Sequence, residues 1–236
     1  MTDKKNVFFW VPNTITAMNL LAGVVATIIA VKGETSMAAF LIIAASVFDF
    51  MDGMAARLLH SYSEIGKQLD SLADVVSFGV APASLLISLA GNTDSSININ
   101  IVYAAILLIP VAGAFRLAKF NIDTRQSDSF LGLPIPANAI FFASLAIVIV
   151  YGSNQEVNQI ILNPFFMISV SLLFSWLMIS EIPMFSLKVK HLKWEGNQLR
   201  IIFLVLCLIL LIALKFYALP LIIIVYILLS LVKFNK

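Results

Sequence analysis

The sequence predicts an all-α integral membrane protein with about eight transmembrane helices. Three observations lead to this fold class. First, 61% of the 236 residues are hydrophobic and 12% are charged, with a mean hydropathy of +0.99, whereas a soluble domain is about half apolar and about one-quarter charged. Second, apolar runs long enough to cross a bilayer recur along the chain. Third, Lys and Arg are distributed unevenly between the connections.

The apolar runs follow one another with mostly short connections. Taking about 20 apolar residues as one crossing, their approximate bounds are 14–32, 35–59, 67–90, 99–120, 135–152, 160–180, 199–216 and 218–234. Pro12, Pro136 and Pro220 stand near span starts, where a missing N–H group has little effect. Pro82 and Pro110 fall inside spans, where a kink or an early helix end is expected.

The basic residues predict the orientation of the chain. With a cytoplasmic N-terminus, the inner segments contain thirteen of the fifteen Lys and Arg residues, and the outer side contains Lys32 and Lys215. Cytoplasmic loops carry an excess of Lys and Arg, so we expect both termini inside. The outer connections 91–98 and 153–159 contain neither residue type. The net charge of +2 gives no indication of nucleic-acid binding.

Four aspartates lie in the inner halves of the second and third spans: Asp49, Asp52, Asp70 and Asp74. An aspartate at the centre of a span costs about 2.5–3.5 kcal/mol on insertion scales, and less near an interface. The nearby cationic side chains are only Arg57, His60 and Lys67. Bound cations are therefore the natural compensation for these carboxylates.

Helix geometry places the four carboxylates on two stripes. Asp49, Asp52, Gly53 and Ala56 share one face of a helix, and Gly66, Asp70 and Asp74 share one face of the next. The short connection makes the two helices antiparallel neighbours, so the stripes can face each other. Carboxylates without nitrogen or sulfur ligands suit Mg²⁺ or Mn²⁺. The glycines allow a phosphate or a ring to approach the backbone, and Arg57 is placed to pair with a phosphate.

The facing aspartate stripes are also compatible with two roles other than metal binding. They could form a charged seam that only holds two helices together, although such a seam is costly in lipid. They could also line the ion pathway of a cation or lipid transporter, since carboxylates within the membrane serve that purpose too. A pathway does not require the fixed Gly, Ala and Arg positions, which favours the metal site.

The full pattern is Asp49-x-x-Asp52-Gly53-x-x-Ala56-Arg57, eight residues, then Gly66-x-x-x-Asp70-x-x-x-Asp74. It resembles the signature of the CDP-alcohol phosphotransferase family at every fixed position. The resemblance implies a six-helix membrane core, a homodimer, a CDP-linked donor, and two Mg²⁺ or Mn²⁺ ions in a site open to the cytoplasm. We accordingly expect a catalytic core at 1–180, a cytoplasmic loop at 181–198 and two further transmembrane helices at 199–236, in a bacterial or archaeal cytoplasmic membrane.

Within that family the chain is most similar to the integral-membrane phosphatidylserine synthases. The segments that carry this similarity are Pro12–Thr16 with Asn19, Leu69–Pro82, Phe115–Asn121 and Gly132–Ala137. The similarity implies transfer of the phosphatidyl group from CDP-diacylglycerol to the hydroxyl of L-serine, with release of CMP. Glycerol 3-phosphate is the main alternative acceptor, and inositol is another.

The resemblance also implies roles for individual residues. The metal shell would be Asp49, Asp52, Asp70 and Asp74, with Asp74 also the general base. CDP-diacylglycerol would contact Pro12, Asn13, Thr14, Gly53, Ala56, Arg57, Ser63 and Gly66. The residues that could bind the acceptor are Arg116, Lys119, Asn121 and Arg125, near the inner end of the fourth span, although positive-inside bias alone also explains them. One direct displacement, with inversion at phosphorus, is the expected mechanism.

Overall fold

The computed structural model describes residues 10–91, 97–123, 129–185 and 197–234. Its helices are α1 (Trp10–Val31), α2 (Thr35–Leu58), α3 (Glu64–Asp74), α4 (Ala81–Ala90), α5 (Ile99–Ile106), α6 (Leu108–Ile122), α7 (Ile135–Tyr151), α8 (Gln155–Leu162), α9 (Pro164–Ile179), α10 (Gln198–Leu214) and α11 (Ala218–Phe234). A π-helical turn, Val75–Val80, joins α3 to α4, and a 3₁₀ turn, Lys215–Tyr217, joins α10 to α11. Two short strands are β1 (Ser129–Leu131) and β2 (Pro183–Phe185).

The helices confirm an integral membrane protein of helical class. Five helical runs in the described residues are long and apolar enough to cross a bilayer: Trp10–Val31, Thr35–Leu58, Glu64–Ala90, Ile99–Ile122 and Gln198–Val232. The pair α8 and α9, bent by 64°, gives a sixth if it forms one span. Helix α7 is apolar but shorter, at 17 residues. Length and composition thus give five or six spans, against the eight predicted.

The last of these runs folds back on itself. The rings of Phe203 on α10 and Tyr226 on α11 lie 6.0 Å apart, whereas a straight helix would separate these positions by about 34 Å. Lys215, at the start of the 3₁₀ turn, has a positive φ of 50°. Helices α10 and α11 therefore form an antiparallel hairpin.

Both prolines inside predicted spans lie just after helix irregularities. The helical run from Ile99 to Ile122 is interrupted at Leu107, three residues before Pro110. The π-helical turn ends just before Pro82, and its last hydrogen bond joins the Ala81 N–H group to the Val76 carbonyl, five residues earlier. Proline cannot donate to the carbonyl four residues before it. The expected local disturbance of the helix is found at both positions.

Small residues bring the first helices close together. Helix α1 packs along α2 and also contacts α3, α4 and the π-helical turn, while α7 packs on α2, α4 and α11. The facing positions of α1 and α2 include fully buried alanines, at residues 26, 30, 38, 39 and 45. Small side chains allow the close backbone approach that packing in a membrane requires. This contact sets α1 beside the two helices that carry the aspartates.

The two strands form an element that the sequence pattern does not predict. They pair antiparallel, with Leu131 opposite Pro183, and the Gly132 N–H group extends the pairing by a 2.9 Å bond to the Ile182 carbonyl. Gly132 has a φ of +76°, and a side chain there would meet the carbonyls of Met178 and Ser180. Only glycine fits this crossing without strain.

Residues 186–196 of the predicted cytoplasmic loop lie outside the described residues.

Candidate metal centre

Three carboxylates from two helices meet at one point. Asp49 comes from α2, and Asp70 and Asp74 come from α3. One oxygen of each lies within 4.8 Å of the other two. Asp74 is buried and the other two are partly buried. The i+4 spacing of Asp70 and Asp74 puts both on one face of α3. Asp49 reaches them from α2, which packs on the π-helical turn and α4 that continue from α3, while α1 contacts both α2 and α3.

Asp52, the fourth predicted ligand, stands beside this group and has a partner of its own. It is buried, and its Oδ2 accepts a 2.6 Å hydrogen bond from Thr16 Oγ1 on α1. Its negative charge repels those of Asp49 and Asp70. The structure therefore brings together three of the four predicted aspartates and holds the fourth next to them through α1.

Helix α1 also orients Asp74. The side chain of Asn19 donates from Nδ2 to Asp74 Oδ1 across 3.2 Å. The Ser77 hydroxyl, in the π-helical turn, donates to the Asn19 carbonyl at 2.9 Å. Asn19 and Ser77 are fully buried. The Ser77 bond goes to the backbone of Asn19 and ties the π-helical turn to α1, while the Asn19 side chain restricts the orientation of the Asp74 carboxylate in surroundings where water does not compete.

The cluster fits a divalent cation. No ion pair joins its carboxylates to a Lys or Arg within the described chain, and Asp70 Oδ1 is buried without a hydrogen-bond partner. Like charges held this close in a partly buried site repel strongly unless they are neutralised. Oxygen ligands alone suit hard cations such as Mg²⁺ or Mn²⁺. The residues that could hold such an ion are Asp49, Asp70 and Asp74, with Asp52 beside them.

The surface next to the cluster on α2 is open. A side-chain carbon placed on Gly53 would meet no atom of the described residues within 4 Å. Arg57 is exposed one turn further along, and its Nε donates a 2.9 Å bond to the Gly53 carbonyl. Ala56 is half-buried between them. This face therefore leaves free space, with a cation at its edge, directly beside Asp52.

Two other residues predicted to contact CDP-diacylglycerol, Ser63 and Gly66, have structural roles at the start of α3. Ser63 is its N-cap, and Ser63 Oγ accepts a 3.0 Å bond from the Gly66 N–H group. A side-chain carbon on Gly66 would lie 2.8 Å from Asn13 Oδ1. Glycine at this position thus permits α3 to approach α1. Thr14 is exposed and donates to the Trp10 carbonyl at 2.8 Å, while Pro12 is buried.

Arg116 stands out among the predicted acceptor residues. It lies on α6, is 7% exposed, and its Nε has no hydrogen-bond partner among the described residues. Its positive charge interacts with Asp74 and with the Tyr226 hydroxyl. It lines a cavity of about 20 Å³, which is large enough for about one water molecule. A buried, unpaired guanidinium of this kind favours an anionic partner.

The other predicted acceptor residues are engaged or lie outside the described chain. Lys119 forms an exposed salt bridge of 2.8 Å with Glu181. Asn121 donates from Nδ2 to Ser71 Oγ at 2.9 Å, and its carbonyl accepts a 3.0 Å bond from Lys67 Nζ. These contacts tie the end of α6 to α3. Arg125 falls outside the described residues.

The side chains that hold the aspartates had no specific role predicted from the sequence. Thr16, Asn19 and Ser77 belong only to segments that resemble the family. The available signal was their polarity within otherwise apolar runs, since buried polar groups in a membrane need partners. Which aspartate each would bind depends on how α1 packs, and the spacing of residues does not contain that information.

Known proteins resemble the chain over the part that carries this cluster. A model of the family described as CDP-alcohol phosphatidyltransferase matches residues 9–179. A CDP-diacylglycerol–serine O-phosphatidyltransferase of Bacillus subtilis is 35% identical over 189 residues, covering 80% of this chain and 94% of that protein. An archaetidylserine synthase of Methanothermobacter thermautotrophicus is 35% identical over 182 residues, covering 73% and 70%.

A Helicobacter pylori protein, also a CDP-diacylglycerol–serine O-phosphatidyltransferase, is 39% identical over 137 residues. That match covers 57% of this chain and 56% of the H. pylori protein, so the chain spans little more than half of that relative's length. The family match includes all four aspartates and the segment of α1 that contacts them. The chain belongs to the CDP-alcohol phosphatidyltransferase family.

Proposed function

We propose that this protein transfers the phosphatidyl group of CDP-diacylglycerol to the hydroxyl of L-serine and releases CMP. The observation that carries the proposal is the meeting of Asp49, Asp70 and Asp74 within 4.8 Å, with no ion pair to a Lys or Arg in the described chain. Relatives named for the same reaction with serine support the choice of donor and acceptor.

The carboxylates would hold Mg²⁺ or Mn²⁺, and we expect two ions. When bound, such an ion shields the charge of the donor's pyrophosphate and of the departing CMP. Asp52 would complete the ligand shell from its position beside the other three, and Thr16 would fix the direction of its carboxylate. The chain's own contribution is to hold four carboxylates at fixed directions before the substrate arrives.

Asp74 would act as the general base. The serine hydroxyl loses its proton to Asp74 as its oxygen attacks the lipid-side phosphorus, and the bond from that phosphorus to the CMP oxygen breaks. The hydrogen bond from Asn19 to Oδ1 fixes the direction of the Asp74 carboxylate for this proton transfer. One displacement gives inversion at phosphorus; retention would require a covalent intermediate.

The open face of α2 would bind the donor. Gly53 leaves room for the nucleotide to lie against the helix, and Arg57 at its edge is exposed and suited to a phosphate. Ala56, Pro12, Asn13, Thr14, Ser63 and Gly66 complete the proposed donor surface. Arg116 would bind the acceptor's carboxylate, because its guanidinium is buried and forms no ion pair within the described residues. It also interacts electrostatically with Asp74, the proposed base. Lys119, Asn121 and Arg125 remain further candidates.

The proposal includes a topology. We propose eight spans with both termini inside, a catalytic core at 1–180, a loop at 181–198, two further spans at 199–236, and a homodimer. The hairpin of α10 and α11 supports counting the last run as two spans, and the excess of Lys and Arg on one side supports an active site facing the cytoplasm.

Comparing acceptors with the purified protein tests this function. CMP release from CDP-diacylglycerol would be followed with Mn²⁺ and, separately, L-serine, glycerol 3-phosphate or inositol. Of the three acceptors, we expect only L-serine to give CMP release. Release only with another acceptor would overturn the choice of serine while leaving the donor and the aspartates in place. No release with any acceptor would overturn the proposed function and favour a transporter.

A further inference from the structure

The two-stranded ribbon of β1 and β2 is attached to the last helix of the protein. Tyr226 on α11 donates from its hydroxyl to the Phe185 carbonyl at 3.0 Å. Ser230, one turn further along, accepts from the Phe185 N–H group at 3.4 Å. Both polar groups of Phe185 are thus satisfied by α11, as a neighbouring strand would satisfy them.

The attachment lies in an apolar, buried environment. The Phe185 ring is 4.9 Å from the ring of Tyr226 and 5.6 Å from that of Phe203 on α10. Phe185, Phe203, Tyr226 and Ser230 are all buried. Water is not available to replace a lost partner in such a place, so the two bonds to Phe185 matter for the position of the ribbon.

The same ribbon forms part of the wall around Arg116. The small cavity at Arg116 is lined by Leu131 of β1 and by Met178 and Ser180 at the end of α9. Beyond Leu131 the ribbon is closed by the bond from Gly132 N to the Ile182 carbonyl, and the next residue, Leu133, donates to the Leu177 carbonyl at 2.9 Å. A continuous set of contacts therefore leads from Arg116 through β1 and β2 to α11.

We propose that the hairpin of α10 and α11 holds the ribbon against Arg116, and that Tyr226 is a positioning residue for the acceptor. This inference rests on the proposed role of Arg116 in binding the acceptor's carboxylate. The hairpin lies beyond residues 9–179, which the family match covers. Tyr226 is far from Arg116 in sequence but close enough in the fold to interact with it electrostatically, so it holds the ribbon and also borders the pocket for the second substrate. The donor surface and the aspartates belong to other helices.

The chain offers a matched control for Tyr226. Tyr217 lies in the turn that joins the two helices of the same hairpin, whereas Tyr226 lies halfway along α11. The Tyr217 hydroxyl accepts a 2.9 Å bond from the Asn154 N–H group. Both tyrosines thus anchor the hairpin to another segment through one backbone hydrogen bond. Removal of either hydroxyl should affect the hairpin's stability, but only Tyr226 lies at the ribbon.

The experiment compares Tyr226→Phe with Tyr217→Phe in the purified full chain. We expect Tyr226→Phe to raise the KM for L-serine about tenfold, because a buried carbonyl loses its donor, with the KM for CDP-diacylglycerol unchanged. Ser230→Ala should raise the KM for L-serine in the same direction. Tyr217→Phe should leave both KM values as in the wild type. A serine KM unchanged in Tyr226→Phe, an equal rise in both KM values, or the same rise in Tyr217→Phe would overturn the inference.

Hydrogen–deuterium exchange provides a readout that does not depend on turnover. In Tyr226→Phe, the amides of Gly132 and Leu133 should exchange faster than in the wild type, since the ribbon has lost an attachment. In Tyr217→Phe they should exchange at the wild-type rate. Unchanged exchange in Tyr226→Phe would overturn the attachment itself. Inactivity of the wild type with every acceptor would instead overturn the proposed function, so the two failures are distinguishable.

Discussion

Asn19 on α1 and Asp74 on α3 are joined by a hydrogen bond of 3.2 Å between Nδ2 and Oδ1. Asn19 is fully buried, and its backbone carbonyl accepts a hydrogen bond from the Ser77 hydroxyl, which ties α1 to the π-helical turn after α3. The carboxylate that we propose as the general base is therefore directed by a helix that contributes no aspartate of its own.

Replacing Asn19 should slow turnover. A hydrogen bond to a charged group contributes about 1.5–3 kcal/mol, so we expect Asn19→Leu to lower kcat about 10- to 100-fold. The KM for CDP-diacylglycerol should change little. Initial rates of CMP release at saturating substrates measure this. Asn158→Leu is the control, because within the described residues the Asn158 amide donates to the Ile149 carbonyl at the end of α7 and contacts none of the aspartates. An Asn19→Leu enzyme with wild-type kcat would show that Asp74 needs no such partner.

Replacing Thr16 should weaken the metal centre. Thr16→Val keeps the shape of the side chain but removes the 2.6 Å bond to Asp52. We expect the Mn²⁺ concentration for half-maximal rate to rise about tenfold, because Asp52 is then no longer held in one direction. Thr27→Val is the matched control on the same helix, since Thr27 Oγ1 donates only to the Gly23 carbonyl. Equal metal requirements in the two variants would argue against a role for Thr16.

The convergence of the aspartates could be predicted from their spacing, because i+3 and i+4 intervals place side chains on one helix face. The partners Thr16 and Asn19 could not be assigned, since they depend on the rotation of α1 against its neighbours. The hairpin of α10 and α11 agrees with the two separate spans predicted at 199–216 and 218–234. The ribbon was not predicted, because strands of three residues carry too little alternation to recognise.

The helix breaks, too, could be predicted where their cause lies in the local sequence. Pro110 and Pro82 predict a disturbance because a proline has no N–H group, and the breaks lie just before them. The bend between α8 and α9 comes at Asn163, whose side chain caps α9 by accepting from the Phe165 N–H group. Residues 155–159 were expected in an outer loop and instead form part of a helix, because Asn154 caps its first turn.

Gly53 and Gly23 lack a side chain for different reasons: Gly53 faces open space, and Gly23 is in close contact with a neighbouring segment. A side-chain carbon at Gly53 would have no atom of the described residues within 4 Å, whereas one at Gly23 would lie 2.6 Å from the Ser77 Cα atom. We expect Gly53→Ala to keep or slightly raise the Tm, since alanine favours a helix by about 1 kcal/mol, and to raise the KM for CDP-diacylglycerol. Gly23→Ala should destabilise the protein by about 1–3 kcal/mol through overpacking.

Thermal unfolding and donor KM measured on both glycine variants check this difference. If Gly53→Ala binds CDP-diacylglycerol as the wild type does, the open face of α2 is not the donor surface. If Gly23→Ala has a wild-type Tm, the close contact between α1 and the π-helical turn is not required.

Arg116 should determine the affinity for the acceptor. Arg116→Gln removes the charge of a buried guanidinium whose Nε has no hydrogen-bond partner in the described part of the chain. We expect the KM for L-serine to rise at least about tenfold, as for the loss of a buried hydrogen bond to a charged group. Arg116→Lys should not restore it, because a lysine lacks the planar fork that binds a carboxylate. Arg200→Gln, at the start of α10, is the control. A serine KM unchanged in Arg116→Gln would exclude this residue from the acceptor site.

The most direct test of the central claim is to titrate Mn²⁺ into the metal-free protein with CDP-diacylglycerol and L-serine and to follow CMP release, in the wild type and in Asp74→Asn. We predict no release without metal, saturable activation of the wild type, and no release from Asp74→Asn at any Mn²⁺ concentration although it still binds the donor. Release from the wild type without metal would contradict the metal centre, and turnover by Asp74→Asn would contradict its role as the base.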